Sequence, residues 1–114
     1  MEYYLHVIYL EGCPHSRNAH ELLVKNNIKH KLTRVTHNNK DIYKTDLIST
    51  FPQIYLKKNN TKGSILLGGN SDLNNIYNIT RKEKNNAINA ILKLHKNIKS
   101  KLSLRIYELF TKKY

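Results

Sequence analysis

The single cysteine of the chain, Cys13, has the residue type and the position for nucleophilic chemistry. A strand predicted over residues 4–9 ends shortly before it, and Pro14 suits the first position of a helix that follows it. At a helix N-terminus, unpaired N–H groups and the helix dipole favour the reactive thiolate over the thiol. His15 and Ser16 follow within one turn and add polar groups. The alternative is that Cys13 packs as a small apolar side chain, as most free cysteines do.

The elements that must position Cys13 are strands and helices that alternate over the first 80 residues. Apolar periodicity and turn residues predict the order β-α-β-α-β-β-α. The predicted strands cover residues 4–9, 28–35, 53–56 and 64–67, and the predicted helices cover residues 14–26, 41–49 and 72–78, the last capped by Asn70 or Ser71. This alternation predicts an α/β fold whose mixed sheet has parallel strands at its start and a hairpin at its end.

Three short motifs in this region resemble those of the glutaredoxin family. They are CPHS at residues 13–16, TFPQIYL at residues 50–56 and GGNSDL at residues 68–73. They occur in the order and at the spacing of the family, and the resemblance covers residues 4–80. It implies a thioredoxin-like fold, in which a four-stranded mixed sheet is flanked by helices, followed in this chain by a C-terminal helical extension.

The resemblance also implies a role for each motif. Cys13 would be the catalytic nucleophile, in an active-site motif completed by Pro14, His15 and Ser16. The implied glutathione-binding residues are Phe51, Pro52, Gly69, Asn70, Ser71 and Asp72. In the family the proline at the position of Pro52 is cis, and the backbone of the preceding residue pairs with the cysteinyl unit of glutathione. The amides of Ser71 and Asp72 would hold the γ-glutamyl carboxylate, with the Asp72 side chain facing the ammonium group; helix capping is an alternative role for both residues.

Ser16 stands where dithiol members of the family carry a second cysteine, so the expected mechanism uses one thiol. Cys13 would attack a glutathione mixed disulfide, with glutathione as co-substrate and glutathionylated proteins as partners. The predicted function is thus that of a glutathione-dependent thiol-disulfide oxidoreductase. An iron–sulfur cluster is not expected, because cluster-binding monothiol relatives carry Gly-Phe where this chain has Pro14 and His15. No metal site is expected either, since one histidine beside one cysteine does not make one.

Two departures from the family motifs concern the carboxylates of glutathione. The family usually has Lys or Arg three residues before the cysteine and another basic residue before the Thr-Val-Pro segment, and this chain has Leu10 and Ser49 there. Arg17, Lys31 and Lys44 are candidate substitutes. These departures favour an alternative function, a catalytically weak or inactive thioredoxin-fold scaffold docked into a larger protein or nucleoprotein assembly through its basic C-terminal helix.

The C-terminal third carries most of the excess charge. The chain has 20 Lys+Arg against 8 Asp+Glu, a formal net charge of +12, and residues 80–114 hold ten of the basic and two of the acidic residues. Apolar residues from Ala87 to Leu109 recur at helical spacing, which predicts a basic amphipathic helix over residues 81–114, after a glutaredoxin-like domain at residues 1–80. A continuous helix would be ~45 Å long, so it either breaks near Ser100 and packs back on the sheet or projects.

Three roles remain open for this predicted helix. It packs on its own domain with its lysines in solvent, or it mediates homo- or hetero-oligomer formation through residues 83–112, or it contacts nucleic acid or an anionic membrane. The last role has the least support, because these lysines lack interleaved aromatic residues and no nucleic-acid-binding motif occurs.

Length and composition limit the class of protein. A chain of 114 residues leaves room for one domain and excludes a large two-domain enzyme. One cysteine excludes an intrachain disulfide framework and a cysteine-rich metal site within one chain. No stretch approaches the ~20 apolar residues of a membrane helix, and the N-terminal residues do not resemble a signal peptide. We therefore expect a cytoplasmic protein of a reducing compartment.

Overall fold

The computed structural model describes residues 2–95 and 98–111, which form an α/β fold around one mixed sheet. Its elements are β1 (Tyr3–Leu10), α1 (Pro14–Lys25), β2 (His30–Val35), a 3-10 turn (Lys40–Tyr43), β3 (Gln53–Lys58), β4 (Ser64–Gly68), α2 (Asn70–Thr80), α3 (Lys84–Leu94) and α4 (Ser100–Thr111). The strand order is β2-β1-β3-β4; β1 and β2 are parallel and the other pairs are antiparallel. This confirms the predicted four-stranded mixed sheet, with parallel strands at its start and a hairpin at its end.

The central strand β1 separates two apolar clusters because its side chains alternate between the faces of the sheet. Leu5 and Val7 are fully buried beneath the helices. Ile8 and Leu10 are buried on the opposite face, where they pack with Val35 of β2.

All four helices contribute buried side chains to the cluster on the first face of the sheet. Its buried members are Leu5, Val7, Ala19, Leu23, Ile28, Ile54, Leu56, Leu67, Leu73, Ile76, Ile91, Ile98, Ile106, Leu109 and Phe110. The cluster on the other face is smaller and consists of Ile8, Leu10, Val35 and Phe51, with Cys13, Tyr43 and Tyr55 packed against it. The two faces of the sheet are therefore covered unequally.

The C-terminal segment follows the first of its two predicted alternatives: it forms two helices, α3 and α4, the second of which begins at Ser100 and packs on the core. Ile91 of α3 and Ile106 of α4 are fully buried in the same cluster as the sheet residues, and the Ser103 hydroxyl donates a hydrogen bond to the Ile88 carbonyl at 2.6 Å. The break lets both halves of the apolar stripe reach the core, which a straight helix ~45 Å long would not allow. Residues 96, 97 and 112–114 of the predicted helix lie outside the described residues.

The helix predicted over residues 41–49 is wrong, since only the 3-10 turn at Lys40–Tyr43 forms there. The Thr45 hydroxyl accepts hydrogen bonds from the N–H groups of Leu47 and Ile48, at 3.2 and 3.1 Å, and the Thr45 N–H donates to the Ile48 carbonyl at 2.8 Å. These local bonds compete with helical ones. The apolar residues that suggested a helix do not pack as a stripe, since Ile42 is 80% exposed and Leu47 is 82% exposed.

None of the helices formed by the described residues combines the length and the apolar character that a membrane crossing requires.

Candidate functional site

Cys13 lies at the point where β1 gives way to α1, as predicted. It is the N-cap residue of the helix, with an extended backbone (φ −89°, ψ 120°), and Pro14 occupies the first helical position. Its carbonyl accepts the hydrogen bond of the Arg17 N–H at 3.1 Å. The thiol is half-buried, and its Sγ atom lies 3.8 Å from the backbone oxygen of Phe51. The thiol thus sits at the positive end of a helix dipole, against the segment that precedes β3.

The Phe51–Pro52 peptide bond is cis, which confirms the configuration that the family resemblance implies. Both residues are buried, and Phe51 packs in the small cluster on which Cys13 rests. A Cβ atom placed on Gly69 would lie 3.6 Å from the Pro52 backbone oxygen. The segments around Cys13, Pro52 and Gly69 therefore meet, although Cys13 and Pro52 are 39 positions apart in the chain and Pro52 and Gly69 are 17 positions apart.

A groove of about 510 Å³ runs beside this meeting point. Its lining residues are His15, Leu47, Ile48, Thr50, Phe51, Leu66, Gly68, Gly69, Asn70, Ser71 and Asp72. Five of the six predicted glutathione-binding residues line it, together with His15 of the cysteine motif. Pro52 and Cys13 are not in the lining, and Cys13 adjoins it through its contact with Phe51. The structure therefore brings the predicted site residues to one place.

Sequence reasoning missed the apolar part of this groove. Leu47 and Ile48 were expected on a helix, and their contribution depends on the irregular path that the chain takes after Tyr43. Leu66 lines the groove from β4. The alternation of side chains along the strand predicted at residues 64–67 is the signal that could place Leu66 on one face of the sheet. Thr50 belongs to the second family motif, but its side chain had been given no role.

The N-terminus of α2 forms one wall of the groove, and its cap differs from the prediction. The N-cap residue is Gly69, not Asn70 or Ser71, and the helix begins at Asn70. The Gly69 N–H donates to Asp72 Oδ2 at 2.9 Å, and the Leu73 N–H makes the first intrahelical bond, to the Gly69 carbonyl at 3.0 Å. The amides of residues 70–72 therefore have no partner within the helix and give this wall a positive end. The capping role of Asp72, left open by the sequence, is present.

Gly68 is required by the backbone at this wall. Its φ of +127° lies in a region that side-chain-bearing residues rarely adopt, and a Cβ atom there would overlap the Asp72 carboxylate and lie 2.7 Å from the Asp72 Cβ. The glycine thus allows Asp72 to reach back to the Gly69 amide.

Ser16 has a structural position in the core. It is fully buried, and its hydroxyl oxygen accepts a hydrogen bond from the Leu10 N–H at 3.1 Å. Leu10 itself is 8% exposed and belongs to the small apolar cluster. Ser16 and Leu10 therefore hold β1 and α1 together through this hydrogen bond.

The candidate cationic substitutes lie outside the groove. Lys31 lies over the Tyr4 ring, 4.8 Å from its centroid, Lys44 forms an ion pair with Asp41 at 2.8 Å, and Arg17 is exposed on α1. Among the described residues of the lining, the ionisable side chains are those of His15 and Asp72. Ser49 is exposed and lies between two lining residues, Ile48 and Thr50.

The other histidines contact groups outside the groove. His6 Nε2 lies 2.6 Å from the Thr33 hydroxyl, and His20 packs edge-on against Tyr9 and His30. Burial, assisted by neighbouring positive charge, lowers the pKa of both His6 and His20. Burial also lowers the pKa of His95, against the opposing influence of the Asp72 carboxylate. Over residues 2–95 and 98–111, no three His, Cys, Asp or Glu side chains converge as metal ligands would.

Comparison with known proteins provides no relative for this site: no protein-family model, no curated protein and no solved structure matches the chain.

Proposed function

We propose that the protein is a monothiol glutaredoxin-like oxidoreductase with a thioredoxin-like fold, which removes glutathione from protein mixed disulfides. The observation that carries the proposal is the position of the Cys13 thiol, 3.8 Å from the carbonyl before the cis Pro52 and beside the groove at the N-terminus of α2. The strand order and the helix that follows the cysteine are compatible with that fold. A nucleophilic thiol needs a place for its disulfide substrate, and the groove provides one.

The reaction has two exchange steps. The Cys13 thiolate attacks the glutathione sulfur of a protein–glutathione disulfide, the S–S bond breaks, and the protein thiolate leaves and takes a proton from solvent. A second glutathione, as thiolate, then attacks the glutathione sulfur now bonded to Cys13. This step releases oxidised glutathione and regenerates the Cys13 thiolate. No second cysteine of the chain is needed, in agreement with the structural position of Ser16.

The groove offers glutathione backbone groups and few charges. The Phe51 backbone faces the thiol and would pair with the cysteinyl unit, and the amides of residues 70–72 would hold the γ-glutamyl carboxylate. For the glycyl carboxylate, the described lining has no lysine or arginine. A charge-assisted hydrogen bond contributes about 1.5–3 kcal/mol, so we expect weak glutathione binding.

The first test is an assay of glutathione-dependent reduction of a glutathionylated peptide. Wild-type protein should be active and Cys13→Ser inactive. Equal rates for the two proteins at several concentrations of glutathione would refute catalysis.

The second test adds the missing charge. Ser49 is exposed between two lining residues, so Ser49→Lys can extend an ammonium group towards the groove without disturbing the core. We expect KM for the glutathionylated substrate to fall at least tenfold, since one charge-assisted pair is worth about 1.5–3 kcal/mol. Ser49→Gln is the matched neutral control and should leave KM within twofold. If both variants behave alike, the groove is not the glutathione site.

The absence of a cation from the described groove lining favours a second candidate, the catalytically weak scaffold. Such a scaffold would dock through the exposed basic residues of α3 and α4, such as Lys84 and Lys101, because the apolar stripe of these helices is occupied by the core. Equal inactivity of wild type and Cys13→Ser, together with a defined oligomer in native mass spectrometry, would favour this candidate.

A further inference from the structure

The sheet face opposite the helices is open at one end. In the segment after β2, Tyr43 of the 3-10 turn packs on this face against Ile8, Leu10 and Val35. Beyond that cover lie side chains that are half-buried or exposed. We call them the aromatic–basic face, and they are Tyr4, His6, Lys31, Tyr55 and Lys57.

Strand register places these side chains side by side. In the β1–β3 pair, Tyr4 lies opposite Lys57 and His6 lies opposite Tyr55; in the β1–β2 pair, His6 lies beside Lys31. Residues directly opposite each other in a sheet share a face. The Lys31 Nζ lies 4.8 Å from the centroid of the Tyr4 ring, which confirms that these two side chains are on the same side. The three rings therefore lie on the two central strands, with Lys57 beside them on β3 and Lys31 beside them on the edge strand β2.

The charged side chains of this face, Lys31 and Lys57, are basic. The four strands contain no Asp or Glu. Among the basic residues of the strands, Arg34 pairs with Glu11 and Lys58 pairs with Glu2. In the described part of the chain, neither Lys31 nor Lys57 forms an ion pair with a carboxylate. Burial lowers the pKa of His6, and the positive charges of Lys57 and Lys31 lower it further.

A hollow of about 330 Å³ adjoins the face, between the segment after β2 and the sheet. Its lining includes His6, Tyr43, Gln53 and Tyr55. Gln53 is held in place on both sides, because its Nε2 donates to the Tyr43 carbonyl and its Oε1 accepts from the Tyr55 hydroxyl. The volume is at the lower end of that of small-molecule sites, about 300–1,000 Å³.

We propose that the aromatic–basic face binds single-stranded nucleic acid. Bases would stack on Tyr4, His6 and Tyr55, and Lys31 and Lys57 would contact the phosphates between them. Aromatic side chains on central strands flanked by cations form such platforms, because every base has a flat face to stack and every linkage carries a negative charge. A duplex cannot use the rings in this way, since its bases are already stacked in the helix. This site is separate from the proposed thiol chemistry and does not depend on it.

The proposal is tested by fluorescence anisotropy of labelled 15-mers, oligo(U) RNA and oligo(dT) DNA, with a 15-base-pair duplex and poly-glutamate as competitors. We expect both single strands to bind and both competitors to displace them poorly. A difference between RNA and DNA would identify the preferred strand. Displacement by poly-glutamate as effective as by unlabelled single strand would refute stacking and overturn the proposal.

Two pairs of variants separate the face from general charge. Lys31→Gln/Lys57→Gln should weaken binding at least tenfold and reduce the slope of log K against log salt by about 1.4, the value for two phosphate contacts on a single strand. Lys25→Gln/Lys62→Gln removes two exposed lysines, one from α1 and one from the turn between β3 and β4, and should change Kd less than twofold. An equal loss in both double variants, or a larger loss in the second, would overturn the proposal.

The ring of Tyr4 is tested by its replacement with an apolar side chain. Tyr4→Leu should weaken binding about tenfold, and Tyr4→Phe should retain it, because stacking needs the ring and not the hydroxyl. Circular dichroism confirms that each variant is folded. Photo-crosslinking of the wild-type protein to an oligonucleotide with 5-iodouracil needs no substitution; cross-linked peptides should come from β1 or β3, and cross-links confined to residues 81–114 would refute the proposed location.

Discussion

Replacement of Gly68 by alanine tests how the backbone positions the α2 wall of the groove. At φ +127° an alanine is strained, which costs about 1–3 kcal/mol. Its Cβ would also overlap the Asp72 carboxylate, which must move away and give up its hydrogen bond to the Gly69 amide. Loss of a helix-capping bond costs about 1 kcal/mol. Together these effects should lower the free energy of unfolding by about 2–4 kcal/mol.

The assay is urea unfolding followed by far-ultraviolet circular dichroism. A domain of this size has a free energy of unfolding of about 5–15 kcal/mol, so Gly68→Ala should fold but with a clearly lower urea midpoint. Two glycines provide matched controls. Gly63→Ala meets no atom within 4 Å and should change stability by less than about 0.5 kcal/mol. Gly12→Ala is equally uncrowded but has a φ of +78°, so it should cost only the conformational part, about 1–2 kcal/mol.

A double-mutant cycle isolates the contact with Asp72. In an Asp72→Ala background the carboxylate is absent, and Gly68→Ala should then cost about 1 kcal/mol less than in the wild type, because the cap is already lost. If Gly68→Ala costs no more than Gly63→Ala, or if its cost is the same in both backgrounds, the described packing of Gly68 against Asp72 is incorrect.

Three further predictions concern the core and its protonation. Ser16→Ala leaves the buried Leu10 N–H without its acceptor and should lower the free energy of unfolding, measured by urea titration, by about 1–3 kcal/mol. Ser71 is exposed, and Ser71→Ala should change the free energy of unfolding by less than about 0.5 kcal/mol. Equal values for the two variants would contradict the buried hydrogen bond. Ile106→Ala should cost about 2–5 kcal/mol by the same measurement, because this side chain of α4 is fully buried against the sheet, and a cost below about 1 kcal/mol would show that α4 is not part of the core. Burial and the charges of two neighbouring lysines lower the folded-state pKa of His6 below its ordinary value of 6.5. The unfolded chain therefore binds the proton more readily than the folded protein does. The stability that neutral His6 contributes above pH 6.5 is lost as the pH falls towards the folded-state pKa. Urea midpoints measured from pH 7.5 to pH 5 should fall less steeply for His6→Gln than for wild type, and an unchanged slope would exclude His6 as a cause.

Much of the sheet and the start of α1 could be predicted from local patterns. The run around Leu5 and Val7 is rich in aromatic and β-branched residues, and Pro14 marks the first turn of a helix, so both elements were confirmed with small changes in their bounds. The segment after β2 could not be predicted in this way. Its apolar residues suggested a helix, but the Thr45 hydroxyl binds two backbone amides, and such local competition is not visible in hydrophobic spacing.

The candidate thiol site was predicted through motifs, and the structure brings most of the motif residues to one groove. The meeting of Phe51, Gly69 and the cysteine helix could be expected from their order in the family. The burial of Ser16 and Leu10 and the hydrogen bond between them could not be predicted, because both depend on how α1 lies against β1. For the C-terminal helices, helical spacing and length predicted two alternatives, a break near Ser100 or a projecting helix, and only the burial of Ile91 and Ile106 in the core decided between them.

The sequence by itself determined the residue types: one cysteine thiol beside a helix-starting proline, a glycine pair before a helix, and a strong excess of lysine. These are local properties, because each depends on neighbours within a few positions. Only the tertiary structure decided which distant groups share a surface. Strand register places Tyr4 opposite Lys57 and His6 opposite Tyr55, residues about 50 positions apart. The reason is physical: side chains of paired strands are about 5 Å apart whatever their separation in the chain, so chemistry that depends on such pairs is created by folding.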